Sequence, residues 1–303
     1  MFFLEKESEP FAKLERYCAS IKDITIEAKN ATLEDSIPAI LNFVKSGGPN
    51  SFPFVFIDPK GWTGFSMDTI APLLRLDPGE VLINFMTSHI RRFLESPQDQ
   101  TQESFEKLFG SREFKNKIEG LATRDREDAA VEEYQQNLKR MGHFDFVCAA
   151  LVLQPDIAST FFHLIYATRN QKGVEVFKAI EKHAMAVQES TRAKIQQVRR
   201  VKKGGGQLEL MPSDELHDAS YYNSLRQRYL WKSKNSVQEA LQTHGRLLYD
   251  HVWVLANSQP LTWDADLKDW IKSWEESGRL EIEGMLPRQR VPRLKSNNYL
   301  IWK

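Results

Sequence analysis

Over 303 residues, 41 Lys and Arg balance 41 Asp and Glu, so the net charge is zero and affinity for a polyanion has to come from local clusters. Hydrophobic content of 41% and charged content of 27% are ordinary for a globular chain, with length for one large domain or two modest ones. Two cysteines, Cys18 and Cys148, are too few for a disulfide framework or a Cys-rich metal site and suit a reducing cytoplasm. No apolar run reaches the ~20 residues of a membrane span, and no membrane association is expected.

Met1 to Glu5 reads as an apolar strand ending in a carboxylate. Pro10 starts a helix with Phe11, Leu14, Tyr17 and Cys18 on its apolar face. Ile24 to Ile26 is a β-branched strand, Lys29 to Ala31 a loop, and Ser36 to Val44 a second helix closed by Gly47 and Gly48. Phe54 to Ile57 is a four-residue apolar run, short enough for a fully buried strand of a parallel sheet. It stops at Asp58-Pro59, because proline cannot donate to a ladder, and Gly61 and Gly64 mark a loop. A helical segment from Met67 to Leu76, a turn at Asp77 to Gly79 and a second buried strand from Val81 to Phe85 follow. Strand and helix alternate up to this point, the signature of a doubly wound sheet. Asp58 and Asn84 then lie at or near the carboxyl ends of neighbouring parallel strands, where such sheets hold their ligands.

Residues 87–142 are polar and helix-rich, longer than an ordinary connection, and read as a helical insertion beside the site. Phe146 to Leu153 and Phe161 to Ala167 read as an antiparallel strand pair, and Val174 to Lys203 as one long helix with a basic end. Gly204 to Gly206 is the linker candidate. Ser236 and Glu239 form a capping-box pattern ahead of Leu241, Leu248, Val252 and Leu255, and Thr262 is placed to cap a helix carrying Leu267, Trp270, Ile271 and Trp274. Strands at Leu280 to Glu283 and Tyr299 to Trp302 flank a basic loop, an order that suggests a winged helix. The expected domains are therefore 1–203, α/β and doubly wound with the insertion 87–142; 204–235, a connecting segment; and 236–303, a winged-helix-like domain.

The strand-end sequence Asp58-Pro59-Lys60-Gly61-Trp62 offers a carboxylate, a proline carbonyl and an indole face that together can hold and stack a planar amino-bearing group. The alternative is a strand-end turn with a capping aspartate and a core tryptophan. Glu5 stands where a doubly wound fold places the acid that holds a ribose hydroxyl, and also where a solvated strand end would be. Asn30 is placed either to face an adenine edge or simply to make a turn. Arg91 and Arg92 of the segment His89 to Phe93, and Arg169 after the last strand of this region, can clamp phosphate or carboxylate or lie on solvated faces. In the tail, Arg288, Arg290 and Arg293 stand without an acid and can lie on a phosphate backbone. The histidines do not cluster at metal-ligand spacing, so no metal is expected. No G-x-S-x-G or P-loop pattern is present.

FVFIDPKGWTG, EVLINFM, HIRRF and FHLIYATRN, in this order and at fitting distances, resemble the three-Cys-motif partner proteins. That prokaryotic family joins a methyltransferase-like Rossmann core to a C-terminal winged-helix-like region. The likeness covers most of Phe2 to Arg169 and is weaker in the tail. It implies a class I S-adenosylmethionine-dependent methyltransferase fold, with Glu5 on the cofactor ribose, Asn30 near adenine, and Asp58, Pro59 and Trp62 beside the transferred methyl. The family has a further strand and glycine-containing loop ahead of the strand matching Phe2 to Glu5, so the sheet of this chain is expected to lack its first, central strand. The resemblance implies a companion radical-enzyme-like Cys-motif protein as partner. The functional expectation is a methyltransferase-like protein acting on nucleic acid or on a partner-bound substrate. The competing expectation is a non-enzymatic adaptor that docks a companion protein or DNA through its winged helix.

Overall fold

The computed structural model describes residues 1–88, 99–111, 113–203 and 217–303. The chain is mixed α/β, with small sheets among its helices, and divides into two compact units, Met1–Asp145 and Phe146–Lys303. Among the described residues no helix is long and apolar enough to cross a membrane.

The first unit opens with β1 (Phe2–Leu4), α1 (Ser8–Ser20) and β2 (Glu27–Lys29), the two strands pairing in parallel with Phe2 opposite Glu27 and Leu4 opposite Lys29. The strand expected at Ile24 to Ile26 therefore sits three residues later. Its position follows its partner: Glu27 N donates to Met1 O at 2.9 Å, which draws the ladder through Glu-Ala-Lys despite their poor strand propensity, and Ile24 is left exposed. On α1, Phe11, Leu14 and Cys18 are half-buried as the periodicity predicts, whereas Tyr17 is exposed. Helix α2 (Leu33–Ser46) begins at Thr32, whose Oγ1 accepts from Asp35 N at 3.2 Å, an N-cap earlier than the expected start at Ser36.

Strand β3 (Phe54–Ile57), α3 (Met67–Leu74) and β4 (Glu80–Phe85) make a βαβ unit with parallel register, Phe54 opposite Glu80 and Ile57 opposite Ile83. Ser66 caps α3, its Oγ accepting from Thr69 N at 3.1 Å. In β4 the alternation of a half-buried strand is plain, with Val81, Ile83 and Phe85 inside. In β3 Ile57 is buried, but Phe54 and Phe56 are 55% and 54% exposed, so this strand is not buried on both faces. β1 and β2 pair only with each other and form a sheet separate from β3 and β4. The aromatic face of β3 is thus left without a covering element among the described residues of its unit.

The region expected as a helical insertion contains α4 (Asp99–Phe109), α5 (Phe114–Ile118) and α6 (Thr123–Gly142). They enclose an aromatic core against β4. Phe109 stacks on Phe114 with centroids 4.7 Å apart, Phe85 stacks on Tyr134 at 4.5 Å, and Phe109 meets Tyr134 edge-on at 6.1 Å.

The second unit begins with β5 (Phe146–Leu153) and β6 (Thr160–Thr168), an antiparallel pair as expected, followed by the long helix α7 (Gln171–Lys203). The glycine run 204–206 lies outside the described residues. Next come α8 (Ser220–His244), β7 (Arg246–Leu248), α9 (Tyr249–Asn257), α10 (Asp264–Glu276), β8 (Leu280–Glu283) and β9 (Tyr299–Trp302). The strands form an antiparallel sheet of order β7-β9-β8. Two boundaries differ from the sequence reading. Ser236 lies inside α8 rather than at a helix start, because the buried series Leu225, Tyr229, Val237 and Leu241 runs through it at helical spacing. The apolar run from Leu241 to Leu255 is two helices, parted at Gly245, whose φ of 68° ends α8 and turns the chain into β7. Helix α10 starts after Thr262, with Trp263 N donating to Asp266 Oδ2 at 2.8 Å.

Val237, Leu241, Tyr249, Val252, Leu267, Ile271, Trp274, Leu280 and Leu300 pack in one core with Cys148 and Val174. Burial pushes the Cys148 thiol up to about 12, and only the thiolate is nucleophilic. A disulfide-exchange thiol reagent should therefore titrate Cys18 alone in the native protein and reach Cys148 only after denaturant is added. Rapid reaction of both thiols under native conditions would mean that this core is open.

Candidate functional site

The parallel register of β3 and β4 decides the geometry at their carboxyl ends. With Ile57 opposite Ile83, the next residue of each strand path, Asp58 and Asn84, come side by side. Asn84 Nδ2 donates to Asp58 Oδ1 at 2.6 Å. This bond fixes the amide orientation, since the reverse would set two oxygens against each other. Asn84 Oδ1 is then turned into an enclosed position where it has no hydrogen-bond partner among the described residues. Asp58 itself is exposed, with the Asn84 amide as its bonded neighbour. The pair offers two acceptors, one carboxylate oxygen and one enclosed amide oxygen, at one lip of a parallel strand pair. A leftover buried acceptor costs ~1–3 kcal/mol and is met by a donor from an ordered water or a ligand.

The rest of the strand-end motif turns another way. The Pro59 carbonyl already accepts from Gly61 N at 3.1 Å, leaving one lone pair. Gly61 and Gly64 take φ of 113° and 83°, which the tight loop requires and a side chain would resist. Trp62 is half-buried against α4: its Nε1 donates to Ser104 Oγ at 2.9 Å and its ring lies 5.4 Å from that of Phe105. The indole that the sequence offered as a stacking face thus fastens the loop to the helical region. Ser104, in a polar stretch of α4, carried no sequence signal for this role.

Glu5 and Asn30 are brought together at the ends of β1 and β2. Asn30 Nδ2 donates to Glu5 O at 2.8 Å and to Lys6 O at 3.0 Å, so both amide hydrogens bind main chain. Ser8 Oγ donates to Asn30 Oδ1 at 3.3 Å. Glu5 Oε1 accepts from Glu7 N at 2.8 Å, which leaves the other carboxylate oxygen for a ligand. The Asn30 bonds are those of a turn residue joining β2 to the β1–α1 connection.

Arg91 and Arg92 lie outside the described residues. Arg169 follows β6 in the second unit and is half-buried. Arg288, Arg290 and Arg293 are exposed on the loop between β8 and β9. That loop is pinned by Asn298, a residue the sequence reading passed over although an Asn-Asn pair before a strand is turn chemistry. Asn298 is fully buried; its Oδ1 accepts from Gln289 Nε2 at 2.7 Å and Arg293 N at 2.9 Å, and its Nδ2 donates to Gly284 O at 2.7 Å.

A polar depression of about 420 Å³ also opens in the first unit, lined by Gly110, Glu113, Lys117, Glu133, Asn137 and Arg140. Its charges answer one another: Lys117 pairs with the buried Glu133, Asn137 Nδ2 donates to Glu133 Oε1, and Arg140 donates to Asn137 Oδ1. Among the described residues, no group of three or more His, Cys, Asp and Glu is placed to hold a metal. Comparison of the chain with family models, with curated proteins and with solved structures finds no match in any of the three.

Proposed function

We propose that the chain is a class I methyltransferase-like protein of the three-Cys-motif partner type, built to present an amino-bearing group to S-adenosylmethionine. The observation that carries the reading is the acceptor pair Asp58 and Asn84 at the carboxyl ends of parallel strands, with the Asn84 amide oxygen enclosed and unmatched among the described residues. In this reading Asp58 and Asn84 receive the hydrogens of the target amine and orient its lone pair. Glu5, through its remaining carboxylate oxygen, holds the cofactor ribose. Methyl transfer then needs mainly alignment of donor and acceptor and exclusion of water. The separation of β1–β2 from β3–β4, with Phe54 and Phe56 bare beside it, also supports the reading, because the resemblance puts a strand and glycine-containing loop between those pairs.

The second unit supports a winged-helix reading. The order helix, strand, helix, helix, strand, loop, strand and the sheet order β7-β9-β8 are those of that motif, with α10 in the place of the third helix and residues 284–298 in the place of the wing. Its substrate is then nucleic acid or a molecule brought by a partner, a companion Cys-motif protein in a cytoplasmic setting. A non-enzymatic adaptor is the second reading, and the use of both Asn30 amide hydrogens on main-chain carbonyls favours it.

Calorimetric titration with S-adenosylmethionine separates the two. Methyl transfer predicts a heat of binding that Glu5→Ala weakens at least tenfold while Asp58→Ala leaves it within about threefold, since ΔG changes by about 1.4 kcal/mol per decade. The absence of any binding heat removes the enzymatic reading for this chain.

A further inference from the structure

From the charges of the second unit we infer that its winged-helix region meets duplex DNA through the loop 284–298, along the sugar-phosphate backbone, with α10 held clear of the groove. The inference rests on the winged-helix reading and not on methyl transfer.

The loop carries Arg288, Arg290, Arg293 and Lys295 and no acid. All four are exposed, and none has an ion-pair partner among the described residues. Cations close by behave differently. Arg246 pairs with Glu283, Lys303 with Glu281, Lys268 with Asp264 and Lys272 with Glu276. The loop is therefore a patch of four cations whose side chains are not ion-paired among the described residues.

The patch is also held in shape. Asn298 ties Gly284, Gln289 and Arg293 together from inside, and the carboxylate of Asp250 accepts from Lys295 N at 3.0 Å. Arg288 and Lys295 sit at φ of 72° and 58°, conformations that side-chain-bearing residues adopt only where surrounding bonds impose them. A loop ordered in advance loses less entropy when it binds. Three of the four cations are arginines, whose planar guanidinium groups match phosphate oxygens two at a time.

Helix α10 has the opposite character. It contains Asp264, Asp266, Asp269, Glu275 and Glu276 against Lys268 and Lys272. Both lysines are paired with acids of the same helix, and Asp269 and Glu275 project exposed with no ion-pair partner among the described residues. Such a helix in a groove walled by phosphates would meet like charge on both sides, so groove reading is disfavoured and the wing carries the contact. Binding of this kind is independent of sequence and strongly dependent on salt.

Fluorescence anisotropy of the whole chain on a mixed-sequence DNA duplex, titrated between about 50 and 200 mM salt, tests this. With up to four phosphate contacts at ~0.9 ions each, the log affinity should fall against log salt with a slope of about −3 to −4. The triple variant Arg288→Gln/Arg290→Gln/Arg293→Gln should weaken binding at least tenfold and reduce the slope to about −1, with its melting temperature unchanged because the side chains are exposed. Asp269→Asn/Glu275→Gln should leave affinity within about threefold. No duplex binding at the lowest salt overturns the inference, as does binding that the triple variant retains. A tenfold gain on neutralising Asp269 and Glu275 would put α10, not the wing, against the DNA. An acidic peptide bound as tightly as duplex would make the partner a protein. None of these results touches the calorimetric test of cofactor binding, which uses the other unit.

Discussion

Glu181→Ala is expected to destabilise the Phe146–Lys303 unit by about 3–5 kcal/mol, the cost of leaving one member of a buried ion pair alone. The Glu181 and Lys178 side chains are 1% and 4% exposed, and they bridge one turn apart on α7. Each has a second duty toward the chain before α10. Lys178 Nζ donates to Gln259 O at 2.9 Å, and Glu181 Oε1 accepts from Leu261 N at 2.9 Å. Leu261 sits at φ of 55°, a conformation leucine rarely takes, and is held from the other side by Arg226, which donates to its carbonyl. Removing the carboxylate therefore strands a buried ammonium and frees a strained backbone amide. The double change Lys178→Met/Glu181→Leu should cost less than Glu181→Ala, because no unpaired charge remains. Urea unfolding with a double-mutant cycle checks this. A single-variant cost under about 1 kcal/mol would mean that water reaches the pair.

Phe109→Ala should cost the first unit about 3–5 kcal/mol, near the upper end for a core truncation. Phe109 is fully buried and touches three rings: it stacks on Phe114 and stands edge-on to Tyr134 and Phe85. It closes the space between α4, α5, α6 and β4, so the hole left behind is bounded by rigid neighbours and collapses poorly. Because Phe105 meets Phe114 edge-on and also carries the Trp62 ring, the damage should spread to the loop after β3. Phe109→Leu should cost clearly less, since most of the volume is kept. Denaturant unfolding gives the stability change, and hydrogen exchange across residues 58–65 reports whether the loop loosens. Unchanged exchange in the alanine variant would uncouple Trp62 from this core.

Periodicity and punctuation made much of the architecture legible. The antiparallel pair β5–β6, the long helix α7, the βαβ unit around Met67 and the strands bounding the basic loop all stand close to where apolar spacing and turn residues put them. Where the reading slipped, a partner distant in sequence was responsible. β2 follows β1 rather than its own β-branched residues, and the capping pattern at Ser236 lost to a buried stripe that begins eleven residues earlier at Leu225. Local propensity is worth tenths of a kcal/mol per residue and yields to burial.

The candidate site divides the same way. Asp58 and Asn84 were visible as strand-end residues, and parallel pairing joined them. The fate of Trp62 was not visible, because an indole can stack on a ligand or dock on a helix with the same neighbours in sequence, and Ser104 decides between them from 42 residues away. The acidity of α10 lay in the sequence from the start, but it acquires meaning only in the winged-helix reading, which gives α10 the place of the third helix of that motif.

By itself, then, the amino-acid order determined the neutral overall charge, which is a sum over composition, and most element types and the acid-free run of cations between Gly284 and Asn298, which depend on residues near one another along the chain. The tertiary structure alone decided which strand edges are paired, which side chains already have their hydrogen bonds, and that Phe54 and Phe56 stand bare. Those outcomes are set by groups that meet only when the chain closes long loops, and no local pattern records which of several chemically equivalent partners will be within 3 Å.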